Sequence, residues 1–296
     1  MKILLTGKNG QVGSELARAL APLGEIVAFD RAGLDLTLPD QIVAAVRSVR
    51  PDVLVNAAAY TAVDQAESEP ELAYAINRDG ARAVAAAAAR LGAPVVQLST
   101  DYVFDGTKAE PYVESDEAHP LSVYGASKLA AEWAVADANP RHVILRTAWV
   151  YAPFGASFPR TVLRLASEGA RLRVVDDQIG CPTYAPDIAQ AILAIVRTWK
   201  ARGWRDGDAG VTHLAGPDAV TWCGLARQVL AAAGVRGASV EAITTADYPT
   251  AATRPANSRL STQRLAAHFA ITLPGLDESL RACVERLTAE TMRLDA

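Results

Sequence analysis

The chain has 296 residues, of which 50% are hydrophobic and 21% charged, and its formal net charge is −4. A disordered chain would be poorer in apolar residues, and a nucleic-acid-binding protein usually carries a basic surplus. No segment approaches the roughly 20 consecutive apolar residues that a membrane helix needs. The cysteines, Cys181, Cys223 and Cys283, are sparse and widely spaced, as is typical of a reducing compartment. We therefore expect a globular, cytoplasmic protein with no membrane or nucleic-acid partner.

The first 150 residues alternate short apolar runs with helical patterns. The runs are rich in β-branched residues, which predicts buried parallel strands at 3–6, 26–29, 53–56, 95–99 and 143–146. Helices are predicted between them, at about 11–22, 39–49, 70–91 and 123–138. Two helix starts place a hydroxyl, Thr37 or Ser68, ahead of a proline, so we expect both hydroxyls to cap their helices. The alternation predicts an α/β fold with a doubly wound parallel sheet of the Rossmann type.

The alternation ends after about residue 150, where Pro, Gly and irregular spacing increase. Helical patterns return at about 184–199, 221–233 and 275–292, and the apolar run 211–214 predicts one more sheet strand. We expect residues 1–150 to form the first domain, with parts of 184–215 returning to it. Residues 151–183 and 216–296 should form mainly a smaller lobe that is interleaved in sequence with the first domain.

A glycine-rich turn, Gly7-Lys8-Asn9-Gly10-Gln11-Val12-Gly13, follows the first predicted strand and opens the first helix. Glycines allow a tight turn and let backbone N–H groups approach a pyrophosphate, while the helix N-terminus presents its positive end to that anion. In this strand–turn–helix setting, the motif predicts that the first domain binds a dinucleotide. The smaller lobe is then expected to bind the substrate.

The second strand ends near Asp30, roughly 20 residues past the turn, where an acid usually accepts hydrogen bonds from the adenosine ribose and favours NADH. Arg31 follows at once and would pair with a 2′-phosphate, which favours NADPH. Both cofactors therefore remain open. We expect Asp35 and Leu36 to flank the adenine, and the small residues of 56–61 to let the backbone pass along the bound dinucleotide.

Tyr124 and Lys128 are four residues apart at the start of the fourth helix, which places both side chains on one helical face. A free tyrosine titrates near pH ~10, and a nearby lysine ammonium would lower that pKa. Tyr124 would then protonate a developing alkoxide, while Lys128 also holds the nicotinamide ribose. The fourth strand leads into Thr100, at the edge where open α/β sheets bind ligands. We expect its hydroxyl, with Ser99 as the neighbouring alternative, to hydrogen-bond a substrate carbonyl.

The glycine turn, the run Ser99-Thr100-Asp101-Tyr102-Val103-Phe104 and the Tyr124-x-x-x-Lys128 pair together resemble the extended short-chain dehydrogenase/reductase superfamily. Within it, the chain resembles the dTDP-4-dehydrorhamnose reductase family, which acts last in dTDP-L-rhamnose synthesis. That resemblance extends over nearly the whole chain. Besides the turn, the stretches that carry it are 56–64, 146–151, 177–183 and 254–260.

The resemblance implies an NAD(P)H-dependent enzyme that reduces the C4 ketone of a dTDP-linked 4-keto-6-deoxyhexose, dTDP-4-dehydro-L-rhamnose. It makes Tyr124 the proton donor and Lys128 its partner. Thr100 and Asp101 would contact the sugar, and Trp149 would line the substrate pocket. Besides Gly7 and Gly13 of the turn, the implied cofactor contacts are Gly10, Gln11, Val12, Asp30, Asp35, Leu36, Ala59, Tyr60 and Thr61.

Some members of this family dimerise through Mg²⁺ held by glutamates, so a monomer and a homodimer both remain open. Glu15 matches one such position, whereas the segment 184–187, Tyr-Ala-Pro-Asp, lacks the glutamate expected there. The histidines are scattered and have no metal-ligand spacing. We therefore predict no metal site, with Mg²⁺ as the less favoured alternative.

Two other functions remain open. One is a nucleotide-sugar epimerase or 4,6-dehydratase of the same superfamily, although the dehydratases carry a Thr-Asp-Glu run where this chain has Thr100-Asp101-Tyr102. The other is a non-catalytic NADP-binding regulatory subunit, since the regulatory subunit of methionine adenosyltransferase resembles the reductase family. The intact Tyr124, Lys128 and Thr100 favour the reductase.

Overall fold

The structure, a computed structural model, describes residues 1–169 and 171–294. Its strands are β1 (Lys2–Thr6), β2 (Glu25–Phe29), β3 (Val53–Asn56), β4 (Val95–Thr100), β5 (His142–Thr147), β6 (Val150–Tyr151), β7 (Leu172–Val175), β8 (Ile179–Gly180), β9 (Thr183–Tyr184), β10 (Gly210–His213), β11 (Val220–Thr221) and β12 (Val240–Ile243). Six of them form one parallel sheet in the order β2-β1-β3-β4-β5-β10. Because the chain order reverses between β1 and β3, a ligand crevice is expected at their carboxyl ends.

The α-helices are α1 (Gln11–Ala19), α2 (Pro39–Val49), α3 (Val63–Ala66), α4 (Pro70–Tyr74), α5 (Ala81–Ala89), α6 (Val123–Ala138), α7 (Phe158–Ser167), α8 (Ala185–Arg202), α9 (Trp222–Ala232), α10 (Gln263–Phe269) and α11 (Leu276–Leu294). They cover both faces of the sheet because successive strand residues point to opposite sides. Ile3 and Leu5 pack into a buried cluster with α1 and α8. Leu4 packs on the opposite face, in a cluster with α2, α5 and α6.

The predicted doubly wound sheet is confirmed, and every predicted strand lies within one residue of its observed bounds. The helices at 39–49 and 123–138 have the predicted bounds. The first helix is shorter than predicted and ends at Ala19, because Pro22 disfavours helical backbone before it and a 3₁₀ turn over Ala21–Leu23 follows. The predicted helix at 70–91 is divided into α4, a π-helical segment Ala75–Gly80, and α5.

Both predicted hydroxyl caps were wrong. Helix α2 begins after Leu38 without a side-chain cap, because the Thr37 hydroxyl donates instead to Asp35 at 2.8 Å. Likewise the Ser68 hydroxyl donates to the carbonyl of Gln65 at 3.0 Å. In both places a short polar side chain binds a closer local acceptor, which competes with capping.

The second half of the chain contributes to two regions. Strand β10 extends the main sheet beside β5, and α8 packs on α1 below it. Helices α7, α9 and α11 form a separate buried cluster beside the strand pairs β7–β12 and β8–β11. The predicted division into a dinucleotide-binding domain and a substrate lobe stays a prediction. Within the described residues, no helix combines the length and apolar character needed to cross a membrane.

Candidate active site

A cavity of about 850 Å³ lies at the carboxyl ends of the sheet strands, at the point where the strand order reverses. The structure brings every predicted site residue to its wall. These residues are Gly7, Gly10, Gln11, Val12, Gly13, Asp30, Asp35, Leu36, Ala59, Tyr60, Thr61, Thr100, Asp101, Tyr124, Lys128 and Trp149. This volume lies within the range of small-molecule and cofactor sites.

The three glycines of the turn differ in what an added side chain would meet. Gly7 has a positive φ of 75°, and a Cβ there would lie 2.7 Å from the backbone nitrogen of Ala58. A Cβ on Gly13 would lie only 1.9 Å from the carbonyl oxygen of Gly7. Gly10, by contrast, begins α1 with no side-chain cap, and a Cβ there would have 3.3 Å to its nearest neighbour. The N-terminus of α1 thus has no side-chain cap at Gly10. Such an uncapped helix start fits the pyrophosphate of a dinucleotide.

The ribose corner combines one acid with two cations. Asp30 accepts a hydrogen bond from the backbone N–H of Gly33 at 3.0 Å, and the ammonium of Lys8 lies 3.3 Å from the same carboxylate. These contacts hold the pKa of Asp30 below its ordinary value. Arg31 also lines the cavity and is largely exposed. The corner therefore fits a ribose hydroxyl on Asp30 and equally a 2′-phosphate on Lys8 and Arg31; Lys8 was not predicted.

Asn77 is a buried residue that the sequence analysis missed. It accepts a hydrogen bond from the backbone N–H of Tyr60 at 2.8 Å, and its amide nitrogen donates to the Tyr60 carbonyl at 3.1 Å and to the Ser127 hydroxyl at 2.9 Å. It lies in the π-helical segment, a geometry often found beside functional sites. Asn77 therefore ties the cofactor-facing segment after β3 to α6. In the sequence, the signal available for this residue was an amide side chain within a predicted helix.

Thr100, Tyr124 and Lys128 meet where β4 ends. The Thr100 hydroxyl donates to Asp101 Oδ1 at 3.0 Å and also lies within hydrogen-bonding reach of the Tyr124 hydroxyl; Tyr124 is partly buried. Burial raises the pKa of Tyr124 to about 12, and the bond to Thr100 opposes that rise. The expectation that Lys128 would lower this pKa was wrong: burial outweighs the bond to Thr100, and the charge of Asp101 raises the pKa further. Tyr124 is therefore a neutral phenol across the physiological range, which is the form that can donate a proton.

Burial also shifts the two charged neighbours. The Lys128 ammonium donates to the Leu98 carbonyl at 2.6 Å; its burial lowers its pKa to about 8, and the charge of Glu132 opposes that shift. Burial raises the pKa of Asp101 to about 6, opposed by hydrogen bonds from Ser258 and from Thr100. At neutral pH the site therefore holds a neutral phenol, a lysine cation and a carboxylate.

A buried ion pair fixes α6 to the sheet. Arg146 on β5 donates to Glu132 through Nε at 2.9 Å and Nη2 at 2.7 Å, and the Ser99 hydroxyl donates to the same carboxylate. Both partners are about 5% exposed or less. Ser122 caps the helix by accepting from the N–H of Gly125 at 3.1 Å. Ser99 is thus engaged with Glu132, which leaves Thr100 as the hydroxyl that faces Tyr124.

Trp149 lies just after β5 and lines the cavity, and its contact with the substrate stays a prediction. Its ring stacks on that of Trp222, with the ring centroids 3.6 Å apart and the planes inclined by 5°. Trp222 is more than 70 residues away in sequence, and no local pattern pointed to it.

The residues around Glu15 do not fit a magnesium site. Its carboxylate oxygen Oε1 accepts from Arg18 at 2.9 Å and from Arg286 at 2.8 Å, so two guanidinium groups already neutralise it. Asp187, in the segment that lacks the expected glutamate, accepts from the Ser279 hydroxyl at 2.6 Å. No cluster of three or more His, Cys, Asp or Glu suited to a metal occurs in the described part of the chain.

Comparisons with known proteins agree with this geometry. The family of the RmlD substrate binding domain matches residues 1–289. A dTDP-4-dehydrorhamnose reductase of Sinorhizobium fredii is 47% identical over 98% of this chain and 99% of its own length, and that of Escherichia coli K12 is 43% identical over the same shares. The crystal structure of a dTDP-4-dehydrorhamnose reductase from Bacillus anthracis, in complex with NADP, has a TM-score of 0.88 at 35% identity, covering 98% of this chain and 99% of that one.

Proposed function

The chain belongs to the RmlD substrate binding domain family, as a member of its dTDP-4-dehydrorhamnose reductases, and we propose that the cavity described above is where its reaction takes place. The function is reduction of dTDP-4-dehydro-L-rhamnose to dTDP-L-rhamnose by hydride transfer from NAD(P)H, in dTDP-rhamnose biosynthesis. The observation that carries the proposal is the meeting of Thr100, Tyr124 and Lys128 in one cavity with the glycine turn.

The glycine turn and its neighbours hold the cofactor in this proposal. Backbone N–H groups of Gln11 and Val12 bind the pyrophosphate, because the uncapped start of α1 concentrates positive potential there, while the N–H of Gly10 donates to the Gly7 carbonyl at 3.0 Å and closes the turn. The ribose corner at Asp30 and the segment after β3 hold the adenosine, and Lys128 holds the nicotinamide ribose. Bound NAD(P)H supplies the hydride, which adds to C4 of the sugar.

Tyr124 supplies the proton that balances this hydride. The C4 carbonyl oxygen gains negative charge as the hydride adds to its carbon, and the Tyr124 phenol transfers its proton to that oxygen. The Thr100 hydroxyl, which in this structure donates its proton to Asp101 Oδ1 at 3.0 Å, would turn that proton toward the same oxygen. The Lys128 ammonium favours the phenolate that remains. Asp101 and Trp149 bind the sugar beside these groups.

Substitution of the two neighbouring hydroxyls tests this assignment. Thr100→Val keeps the shape of the side chain and removes the hydroxyl, so we expect kcat to fall about 10²-fold while NADPH binds as before. Ser99→Ala is the matched control, because Ser99 bonds to Glu132 rather than to Tyr124. Its kcat should stay within about threefold of the wild type. If instead Ser99→Ala lost activity and Thr100→Val kept it, the oxygen-binding role would belong to Ser99.

A dehydratase function is less well supported by this site. Tyr102 occupies the position of the dehydratase glutamate, its ring packs edge-on against Tyr124 with centroids 5.7 Å apart, and burial raises its pKa above the ordinary value. A phenol held so firmly protonated is a poor base for removing a proton from sugar carbon. A dTDP-glucose 4,6-dehydratase of Streptomyces venezuelae shares the fold at 19% identity and a TM-score of 0.79.

We also propose a substrate class, a location and independence of Mg²⁺ for the protein. The substrate is a dTDP-linked sugar, and the finer assignment is a 4-keto-6-deoxyhexose bound between the two predicted lobes. A cytoplasmic location belongs to the same proposal. Since arginines neutralise Glu15, we propose that the protein, whether a monomer or a homodimer, does not use Mg²⁺ at this position to join copies.

A further inference from the structure

Trp149 has a backbone conformation that a tryptophan rarely adopts. Its φ of 46° lies in the left-handed region, where a side chain crowds the backbone. Its carbonyl accepts a hydrogen bond from the N–H of Thr183 at 3.2 Å, and β6, which follows it, pairs with β9. Such a conformation persists only where the surroundings determine it, and it is common at ligand sites.

Two residues of the smaller lobe lie against the Trp149 indole. Trp222 stacks on the ring with centroids 3.6 Å apart. Gly180 lies against the indole elsewhere, where a Cβ would be 2.3 Å from its Cε2 and 2.5 Å from its Nε1. A side chain at position 180 would therefore displace the indole, so this glycine is required by the tryptophan rather than by its own backbone.

A two-stranded pair brings Gly180 and Trp222 to the same place. Strands β8 and β11 pair antiparallel, with Val220 opposite Gly180. Helix α9 starts directly after β11, capped by Thr221, whose hydroxyl accepts from the N–H of Gly224 at 3.0 Å. Trp222 is the first residue of that helix, and its outer side contacts the ring of Phe158 at a centroid distance of 4.9 Å. The stretch 177–183, which the catalytic assignment leaves without a role, thus forms one wall around Trp149.

We propose that Trp222 and Gly180 are positioning residues that hold the Trp149 indole against the bound sugar nucleotide and so set substrate affinity. The inference rests on the proposed function, in which Trp149 contacts the substrate. Neither residue is among those that line the cavity. They act through Trp149, and their removal should affect substrate binding more than the chemical step.

The test is a comparison of steady-state constants for Trp222→Leu, Trp222→Phe and Gly180→Ala with dTDP-4-dehydro-L-rhamnose and NADPH. Trp222→Leu should raise KM for the sugar nucleotide about three- to tenfold, the equivalent of one lost aromatic stack. Its kcat should change by less than about threefold, and the Kd of NADPH should not change. Trp222→Phe should restore most of the affinity because a ring remains. Gly180→Ala should also raise KM, because the added methyl group would displace the Trp149 indole.

Circular dichroism gives an independent readout of the stack. Each indole of a stacked pair perturbs the near-ultraviolet transitions of the other, so Trp222→Leu and Trp222→Phe should change the near-ultraviolet spectrum of the wild type. Trp133→Leu is the matched control, since Trp133 is 66% exposed on α6, and it should change that spectrum less and keep KM. A Trp222→Leu spectrum that changes no more than that of Trp133→Leu would overturn the proposal.

Trp149→Leu separates this inference from the proposed function. If it raises KM while Trp222→Leu and Gly180→Ala, both binding NADPH normally, leave KM unchanged, the positioning role is wrong and the substrate role of Trp149 stands. If Trp149→Leu itself leaves KM unchanged, the assignment of Trp149 to the substrate fails, and the positioning role fails with it.

Discussion

In the proposed mechanism, Tyr124 holds the proton that the reduction consumes. Its burial keeps it a neutral phenol, and its contacts are of two kinds: the hydroxyl bonds to Thr100, and the ring packs against Tyr102. Tyr124→Phe removes the first and keeps the second. We expect turnover to fall about 10²–10⁴-fold, with the Kd of NADPH within about threefold of the wild type. Single-turnover rates and calorimetric titration would measure the two effects. Retention of more than about a tenth of the wild-type rate would rule out Tyr124 as the acid.

Gly10 and Gly13 differ in what a side chain would meet, and this difference makes a controlled experiment. A Cβ at Gly10 would lie 3.3 Å from the Gly7 carbonyl oxygen, its nearest neighbour, whereas a Cβ at Gly13 would lie 1.9 Å from the same oxygen and collide with it. Gly10→Val should therefore fold with a thermal midpoint close to the wild type and bind NADPH at least about tenfold more weakly. Gly13→Ala should lower the midpoint itself. Unchanged NADPH affinity in a folded Gly10→Val protein would remove the turn from the cofactor site.

Helix α6 carries Tyr124, Lys128 and Glu132 at intervals of four residues, so the three side chains share one helical face. Tyr124 lies in the cavity at one end of this face, and Glu132 contacts the sheet at the other end. The pair between Glu132 and Arg146 prevents the helix from sliding along the strands. Lys128 lies between the two ends, held by the Leu98 carbonyl. Because Lys128 is buried, its pKa is lowered, and we expect the activity to depend on pH for that reason.

The activity should fall as the pH rises through about 8. Burial lowers the pKa of Lys128 to about 8, so the ammonium that the proposed mechanism uses loses its proton there. Unfolding does not explain such a fall, because a lysine with a lowered pKa in the folded state makes the free energy of unfolding increase with pH between about 8 and the ordinary 10.5. A kcat/KM profile with a parallel urea titration would measure both. A profile that stays flat to pH 10 would contradict the role of the Lys128 charge.

The elements that the sequence predicted best are those with a strong local signal. Helix α6 follows the capping residue Ser122, and β3 is a continuous apolar run, so their bounds agree with the prediction. The π-helical segment and the missing caps at Thr37 and Ser68 depend on competing local hydrogen bonds that residue type alone does not decide. Placement of the site residues at one cavity followed from the rule that ligands bind at strand ends.

Contacts between residues far apart in sequence were not predictable. Asn77 and Trp222 each contact a site residue from another element, and Arg286 contacts Glu15 in the same way. Nothing in the spacing of either partner records these contacts. The direction of the Tyr124 pKa shift was wrong for a related reason. The sequence shows the nearby lysine, whereas the extent of burial depends on the assembled fold.

At the scale of the whole molecule, the bond between Glu15 and Arg286 joins α1 to α11 across 271 positions of the chain. It fastens the helix that follows the glycine turn to the last helix. Since Glu15 is neutralised from within the chain, its carboxylate has no need of a metal cation. Phe154 lies beside both arginines that bind Glu15, with its ring centre about 6 Å from each guanidinium.

Removal of Mg²⁺ should therefore leave the protein unchanged. We expect the same kcat, and the same mass by light scattering, in EDTA and in millimolar MgCl₂. Arg286→Gln is a useful companion, because it removes one of the two guanidinium partners and should lower the thermal midpoint in both buffers alike. A dimer that dissociates in EDTA, or turnover that requires Mg²⁺, would contradict the intrachain role of Glu15.

The most direct test of the account is whether the protein reduces a keto-sugar and leaves the preceding sugar untouched. Enzymatically prepared dTDP-4-dehydro-L-rhamnose is supplied with NADPH or NADH, and dTDP-glucose is supplied separately without added cofactor. We expect one reduced cofactor to be oxidised for each dTDP-L-rhamnose identified by mass spectrometry, and we expect dTDP-glucose to be recovered intact. Water loss from dTDP-glucose, or no cofactor oxidation with the keto-sugar, would contradict it.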